Sequence, residues 1–306
     1  QKGTRLVLIS HLGRPQEARS DVDDGFLKQF SFRQVVSEIE EIIGVKVNFV
    51  SGYGSDLIKR ELDEMNGDSG VLLLENVRFF PEEEENDELF AQDLAKNFDV
   101  YINEAFSNSH RKHASMVGLP SILPGFAGLQ FQREIENLDK VKFHPEHPAV
   151  AIIGGAKIKT KLPLIENFSD NYEYVLVGGK IANEAMDENM SFRDNVILPV
   201  DLAKDRLDIG PNTIKKFEEI VSHAETVVWN GPLGKFEESP YDTGTREVVD
   251  AIIESEAFTV VGGGESIQVL ETLSIMDKFS FISTGGGAML KYLSGEEMPG
   301  LDMLKK

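Results

Sequence analysis

The sequence predicts an α/β protein made of two doubly wound parallel-sheet domains. Three observations carry this expectation: short apolar runs that stop at glycine or a polar turn, helical patterns lying between them, and a double-proline break near mid-chain. The runs are RLVLIS (5–10), VNFV (47–50), GVLLLENV (70–77), DVYINEAF (99–106), AVAIIGG (149–155), YEYVLVGG (172–179), ETVVWNGP (225–232), AFTVVGGG (257–264) and FSFISTGGG (279–287). They are short, rich in Val and Ile, and lack strict alternation, as strands buried on both faces of a parallel sheet do.

Helical patterns fill the intervals. FRQVVSEIEEIIG puts apolar residues at 32, 35, 36, 39, 42 and 43 and stops at Gly44, a residue suited to a left-handed helix cap. DELFAQDLAKNF places Leu89, Phe90, Leu94 and Phe98 on one side. PEEEENDE (81–88) reads as a solvated loop and helix start, with its acids near a helix N-terminus. Strands alternating with helices imply right-handed crossovers. The helical stretch LQFQREIENLDKVKF (129–143) ends at HPEHPA, which sets the expected boundary at 139–149. The first domain then spans 1–138, the second 150–295, and 296–306 forms a tail. Gly-rich strand ends are confined to the second half, which suggests that the domains take different ligands and meet across a cleft.

Composition narrows the function. The net charge of −21 disfavours nonspecific binding to nucleic acid or to an anionic membrane, both of which need a positive footprint. A local basic pocket for a small anion remains compatible with it. The chain has no cysteine, so disulfides, thiol catalysis and zinc–thiolate sites are excluded. No apolar run approaches the length of a membrane span. The opening QKGTRLVLIS reads as the middle of a domain, so the natural chain is expected to be longer.

Four strand ends carry glycines that lead into helix: GGAKIKTK (154–161), VGGK (177–180), GGGES (262–266) and STGGGA (283–288). Such turns let a ligand approach the backbone, and the helix N-termini offer free N–H groups to phosphate. One turn alone is an ordinary strand-to-helix connection, but four in one domain point to a nucleotide crevice at the carboxyl ends of the strands. No strand is followed by a G-x-G-x-x-G fingerprint and there is no G-x-x-x-x-G-K-[ST] loop, which disfavours an NAD-dependent oxidoreductase and a Walker-type NTPase. Lys157 and Lys161 are four apart and share a face if a helix has begun there.

A second feature is SNSHRKHASMVG (107–118), with His110, Arg111, Lys112 and His113 in one cluster. A metal site is disfavoured because no carboxylate at ligand spacing accompanies the histidines. A nucleic-acid patch is disfavoured by the overall charge, which leaves a solvated face, the reading that suits Lys112 with His113 packing or capping, and a socket for a small, highly charged anion.

The motifs SHLGRP (10–15), LLLENVRF (72–79), INEAFSNSHRKHAS (102–115), GGAKIKTK, WNGPLGKFE (229–237), GGGES and STGGGA make the chain resemble the phosphoglycerate kinases over essentially its whole length and in family order. The resemblance implies two Rossmann-like domains joined by a helix, separated by a cleft and closing like a hinge. It implies the reaction 1,3-bisphosphoglycerate + MgADP ⇌ 3-phosphoglycerate + MgATP in a cytoplasmic, monomeric glycolytic enzyme. By motif, His11, Arg14, Arg78, His110 and Arg111 would bind the glycerate substrate. Gly155, Lys161, Gly178, Gly179, Asn230, Pro232, Glu237, Gly263, Gly264 and Ser266 would bind ATP or ADP. Lys157, Lys161, Gly286 and Gly287 would attend the transferring phosphoryl group, and Glu265 would contact Mg²⁺.

Three departures qualify the match. The family's first strand, with its VDxN motif and following Arg, is not in the sequence, and the stretches after DENM (187–190) and DLAKDR (201–206) are short. The family's GGGD appears as GGGE, placing Glu265 one methylene farther out, and GGGM appears as GGKI, introducing Lys180. An alternative reading is therefore a catalytically impaired relative that binds ligands without turnover.

Overall fold

A computed structural model describes residues 4–15, 28–65 and 70–305. The basic opening QKG lies outside these residues. The chain resolves into two compact units. The first takes residues 1–103, 111–127 and 299–306, and the second takes 104–110 and 128–298.

In the first unit β1 (Arg5–Leu8), β2 (Val47–Val50) and β3 (Gly70–Leu74) form a parallel sheet in the order β1-β3-β2. Register pairs Leu6 with Val71 and Phe49 with Leu73. The central strand is buried on both sides. Leu72 and Leu74 pack with Val50, Ile58 and Leu94, while Val71 and Leu73 pack with Phe32 and Val47. This two-sided burial is why β3 reads as a continuous apolar run. A separate parallel pair joins β4 (Tyr101–Asn103) to β5 (Gly125–Ala127).

The helices of five or more residues in this unit are α1 (Val36–Ile43), α2 (Ser55–Glu64), α3 (Pro81–Glu85) and α4 (Glu88–Ala95), and single helical turns lie at Leu119–Ile122 and Pro299–Asp302. α1 ends as expected at Gly44, whose φ of 69° is left-handed and whose N–H reaches the Glu40 carbonyl. Its residues 32–35 form a 3-10 turn instead, and Ile42 is 81% exposed, so periodicity overstated its buried face. Leu89 likewise departs from its expected place: it is exposed, and α4 buries Ala91, Leu94 and Ala95. The Asp87 side chain caps the Phe90 N–H and so fixes where α4 starts.

The second unit is a six-stranded parallel sheet. Its strands are β6 (Ala149–Ile153), β7 (Tyr174–Val177), β8 (Val196–Ile197), β9 (Thr226–Asn230), β10 (Phe258–Gly262) and β11 (Phe281–Ser283), in the order β11-β10-β9-β6-β7-β8. Chain order runs outward from β6 to β8 on one side, then restarts beside β6 and runs outward to β11. This is the doubly wound order of the Rossmann class, with its switch point between β6 and β9. The covering helices are α5 (Leu129–Phe143), α6 (Leu162–Asn171), α7 (Gly179–Asp187), α8 (Pro211–Val221), α9 (Thr243–Glu254), α10 (Gly264–Leu273) and α11 (Gly287–Leu293). Val150, Ile152, Leu176, Trp229 and Val261 belong to one buried cluster with Phe217, Val248 and Val269 from these helices.

α5 spans the expected residues, but it counts whole with the second unit, whereas the sequence reading divided it at residue 139. The reason is local. Phe131, Leu138 and Val141 are fully buried, Phe131 meets Phe106 edge-on, and Tyr172 donates to the Val141 carbonyl at 2.7 Å. Among the described residues no helix is long and apolar enough to cross a membrane.

Candidate active site

The second unit builds its site where β6 and β9 diverge. Backbone bonds close the switch point: the Gly154 N–H donates to the Asn230 carbonyl at 2.8 Å, and the Gly155 N–H donates to the Pro232 carbonyl at 3.1 Å. The Gly179 N–H donates to the Leu233 carbonyl at 2.8 Å, and the Ile181 N–H donates to the Gly155 carbonyl at 3.1 Å. These chains lie so close that side chains are excluded. A Cβ on Gly231, whose φ is +91°, would fall 2.5 Å from the Gly154 carbonyl carbon, and one on Gly179, at φ +65°, would fall 2.9 Å from the Pro232 oxygen.

The strand ends open into a pocket of about 530 Å³. Of the residues expected to bind nucleotide, Gly155, Gly179, Pro232 and Glu237 line it, as does Glu265. Gly178 lies behind them, its N–H donating to the Ile153 carbonyl at 3.0 Å. Two others act from beneath the surface. Asn230 is buried, donates to the Gly262 carbonyl at 2.5 Å and meets the Lys161 ammonium with its side-chain oxygen. Ser266 is buried and its hydroxyl accepts the Gly231 N–H at 2.7 Å. Gly263, at φ +99°, precedes Gly264 at the start of α10.

The two lysines differ. Lys157 is exposed in extended backbone, a 3-10 turn covers 158–160, and α6 begins only at Leu162. No helix has begun at Lys157, so the expected shared helical face does not form. Lys161 is half-buried; burial lowers its pKa to about 8 against the opposing pull of Glu265. Glu265 stands at the pocket wall, where a Cβ on Gly155 would be 3.3 Å from its Oε2.

The STGGGA turn is held from α5. Glu134 is fully buried and accepts from the Ser283 hydroxyl at 2.8 Å, the Thr284 N–H at 2.8 Å and the Thr284 hydroxyl at 2.9 Å. Gly286 then adopts φ +52° and Gly287 opens α11. His110 belongs to this unit: a Cβ on Gly287 would lie 3.9 Å from its Nε2.

The first unit brings together His11, Arg14, Arg78 and Arg111. Arg78 is 4% exposed, a low value for a guanidinium, and donates to the Gly13 carbonyl at 2.9 Å while Glu84 lies 3.7 Å from its Nε. Burial and the neighbouring Arg111 lower the Arg78 pKa, and Arg14 adds to this. Burial, Arg78 and Arg111 lower the His11 pKa to about 4, so its ring is neutral at pH 7. Arg111 has a buried Nε with no hydrogen-bond partner among the described residues. Concentrated, partly desolvated guanidinium charge of this kind is matched by an anion.

The sequence reading missed a charged residue beneath this group. The run PEEEENDE predicts a solvated Glu83, but Glu83 is 2% exposed and accepts from the Ser115 N–H at 2.8 Å and the Ser115 hydroxyl at 2.6 Å. The His113 Nδ1 lies 3.6 Å from the same carboxylate. Within a run of four glutamates, no sequence signal marks the one that turns inward. Also missed were Glu134 and the pocket-wall residues Asn183, Asp187 and Arg206.

The family profile for phosphoglycerate kinase matches residues 1–195 and 187–296. The phosphoglycerate kinase of Borrelia garinii subsp. bavariensis is 35% identical over 353 residues, covering 100% of this chain and 88% of that protein. That of Leptospira biflexa is 37% identical over 350 residues, covering 99% and 86%. Among solved structures, phosphoglycerate kinase from Coxiella burnetii aligns with a TM-score of 0.83 at 28% identity, covering 99% of this chain and 86% of that one. The enzyme from Pyrococcus horikoshii OT3 gives 0.81 at 28% identity, covering 99% and 87%. With the family profile matched along both units and relatives above 30% identity over the whole chain, the protein belongs to the phosphoglycerate kinase family.

Proposed function

We propose that this enzyme transfers a phosphoryl group between 1,3-bisphosphoglycerate and MgADP, reversibly giving 3-phosphoglycerate and MgATP. The observation that carries the reading is the pairing of a basic group, His11, Arg14, Arg78 and Arg111, in one unit with a switch-point pocket in the other. Each fits one ligand: guanidinium forks suit the phosphate and carboxylate of the glycerate, and strand-end glycines suit a nucleotide.

The transfer is direct. A β-phosphate oxygen of ADP attacks the acyl phosphorus in line, a new P–O bond forms, and the bond to the acyl oxygen breaks to release the glycerate carboxylate. No protein nucleophile is needed; positioning, charge neutralisation and exclusion of water supply the rate. Lys157, Lys161 and the Gly286–Gly287 turn neutralise and orient the transferring group, and His110 joins the residues that bind the glycerate. Closure of the two ligand-bearing domains completes the site.

Glu265 fits a Mg²⁺ that arrives on the nucleotide, since Mg²⁺ is held by one or two carboxylates plus substrate phosphates. Among the described residues no group of three or more His, Asp or Glu could hold a metal ion. The ion, when bound, offsets phosphate charge.

A coupled assay of 3-phosphoglycerate-dependent ATP consumption tests the proposal. Turnover supports it. Retained binding of both ligands without turnover would favour the impaired-relative reading instead.

A further inference from the structure

α7 presents Lys180, Asn183, Glu184 and Asp187 to the pocket at the i, i+3, i+4, i+7 spacing of one helical face. Asp205, Arg206 and Leu207 line it from another segment. Arg206 joins the two. Its Nη1 donates to Asp187 Oδ1 at 2.9 Å and its Nη2 to the Asn183 carbonyl at 3.4 Å, while Asn183 Nδ2 donates back to the Arg206 carbonyl at 2.8 Å. The next residue extends the link, since the Leu207 carbonyl accepts the Lys235 N–H at 2.7 Å and Lys235 lines the pocket as well.

This contact concentrates local costs. Asp205 and Arg206 are consecutive residues with φ of 65° and 59°, a left-handed backbone that side chains disfavour. The Asn183 amide, with its nitrogen turned to Arg206, leaves Oδ1 buried and without a partner among the described residues. Strained backbone persists where its surroundings over-determine it, and it gathers at ligand clamps. Stability does not account for it, because the ion pair is open to water, with Arg206 44% and Asp187 61% exposed, and such pairs contribute little.

We propose that Arg206 is a positioning residue for nucleotide binding: its clasp on Asp187 and Asn183 holds the 205–207 wall in the shape that receives ADP. The inference rests on the reading of this pocket as the nucleotide site. Without the clasp, the wall must be ordered when the nucleotide binds, and that ordering weakens affinity.

The test is calorimetric titration of ADP, with MgCl₂, into the full chain and into Arg206→Gly, Asp187→Asn and the double variant. Glycine accommodates the left-handed backbone and removes the guanidinium half of the clasp but adds backbone freedom, so Asp187→Asn, which leaves the backbone alone, is the variant that isolates the clasp. The expected result is roughly three- to tenfold weaker ADP binding in each single variant. The double variant should be no weaker than the singles, and the KM for 3-phosphoglycerate should be unchanged. Wild-type affinity in both single variants would overturn the clasp while leaving the pocket assignment standing. Equal losses for both substrates, or additive losses in the double variant, would also overturn it. Absence of ADP binding to the wild-type chain would remove the pocket assignment itself and the clasp with it.

Discussion

Glu83 accepts both the amide and the hydroxyl of Ser115, at 2.8 and 2.6 Å. A carboxylate on the short helix α3 thereby anchors the start of the π-helical turn Ala114–Gly118, just after Arg111 in the chain. Its charge also reaches His11, where it opposes the lowering effect of burial and the two arginines. Glu83→Ala strands two buried donors and should cost about 2–4 kcal/mol of stability. Glu83→Gln, which keeps one acceptor, should cost less. Thermal denaturation measures the difference, and equal melting temperatures for wild type and Glu83→Ala would contradict the anchoring role.

Arg111→Ala should raise the KM for 3-phosphoglycerate by roughly 10- to 100-fold, the worth of one or two charge-assisted hydrogen bonds. The KM for ATP should change far less. Steady-state kinetics with each substrate varied in turn separates the two, and equal effects would count against the assignment.

Glu134 accepts three hydrogen bonds from Ser283 and Thr284, at the entry to the Gly286–Gly287 turn. Glu134→Ala leaves these donors unpaired in a buried place and should destabilise the chain by about 2–4 kcal/mol. The turn is also expected to lose its orientation, so kcat should fall more than either KM rises. A kcat at the wild-type level in a folded variant would refute this.

Lys161 has a folded pKa of about 8 against an ordinary 10.5. Between these values the unfolded chain holds the proton and the folded one does not, so this group's contribution to stability rises with pH across that window. Binding runs the other way. With Lys161 holding nucleotide phosphate as proposed, its ammonium is lost as pH rises through about 8, and ADP affinity should decline above that pH by roughly tenfold. Lys161→Arg, charged throughout, should flatten the profile. An identical decline in both proteins would exclude Lys161 as the titrating group.

His11 titrates with its folded pKa of about 4 below an ordinary 6.5. Its contribution to stability is therefore present above about 6.5 and is lost as pH falls towards 4. His11→Gln should reduce the loss of stability across this window, measured by denaturant melts at a series of pH values. An unchanged pH slope would show that His11 is not responsible.

Much of this was legible in the residues. Each apolar run became a strand, and β3, β6, β7, β9 and β10 are covered on both faces as expected, whereas β1 and β4 leave Leu6 and Ile102 exposed, because a run of apolar residues favours strand whether or not both faces are packed. Two of the glycine-ended runs supply Gly155 and Gly179 to the pocket edge, where backbone segments as close as Gly231 and Gly154 leave no room for a Cβ. Strands β5 and β8 escaped notice because Gly125–Ala127 and Val196–Ile197 are too short to show a period. The exposure of Leu89 and Ile42 escaped notice because periodicity marks an apolar face but not whether anything covers it.

The sequence by itself determined the α/β class, the glycine turns at the strand ends, and the arginines offered to an anion. Only the tertiary structure decided that Glu83 turns inward, that Ser266 spends its hydroxyl on Gly231, and that Arg206 reaches Asp187 across the pocket. The reason is physical. Strand and turn preferences are local properties of neighbouring residues, whereas burial of a charge and the choice of its partner depend on segments far apart in the chain. A carboxylate in a run of four identical ones has no individual identity until packing gives one of them a buried partner.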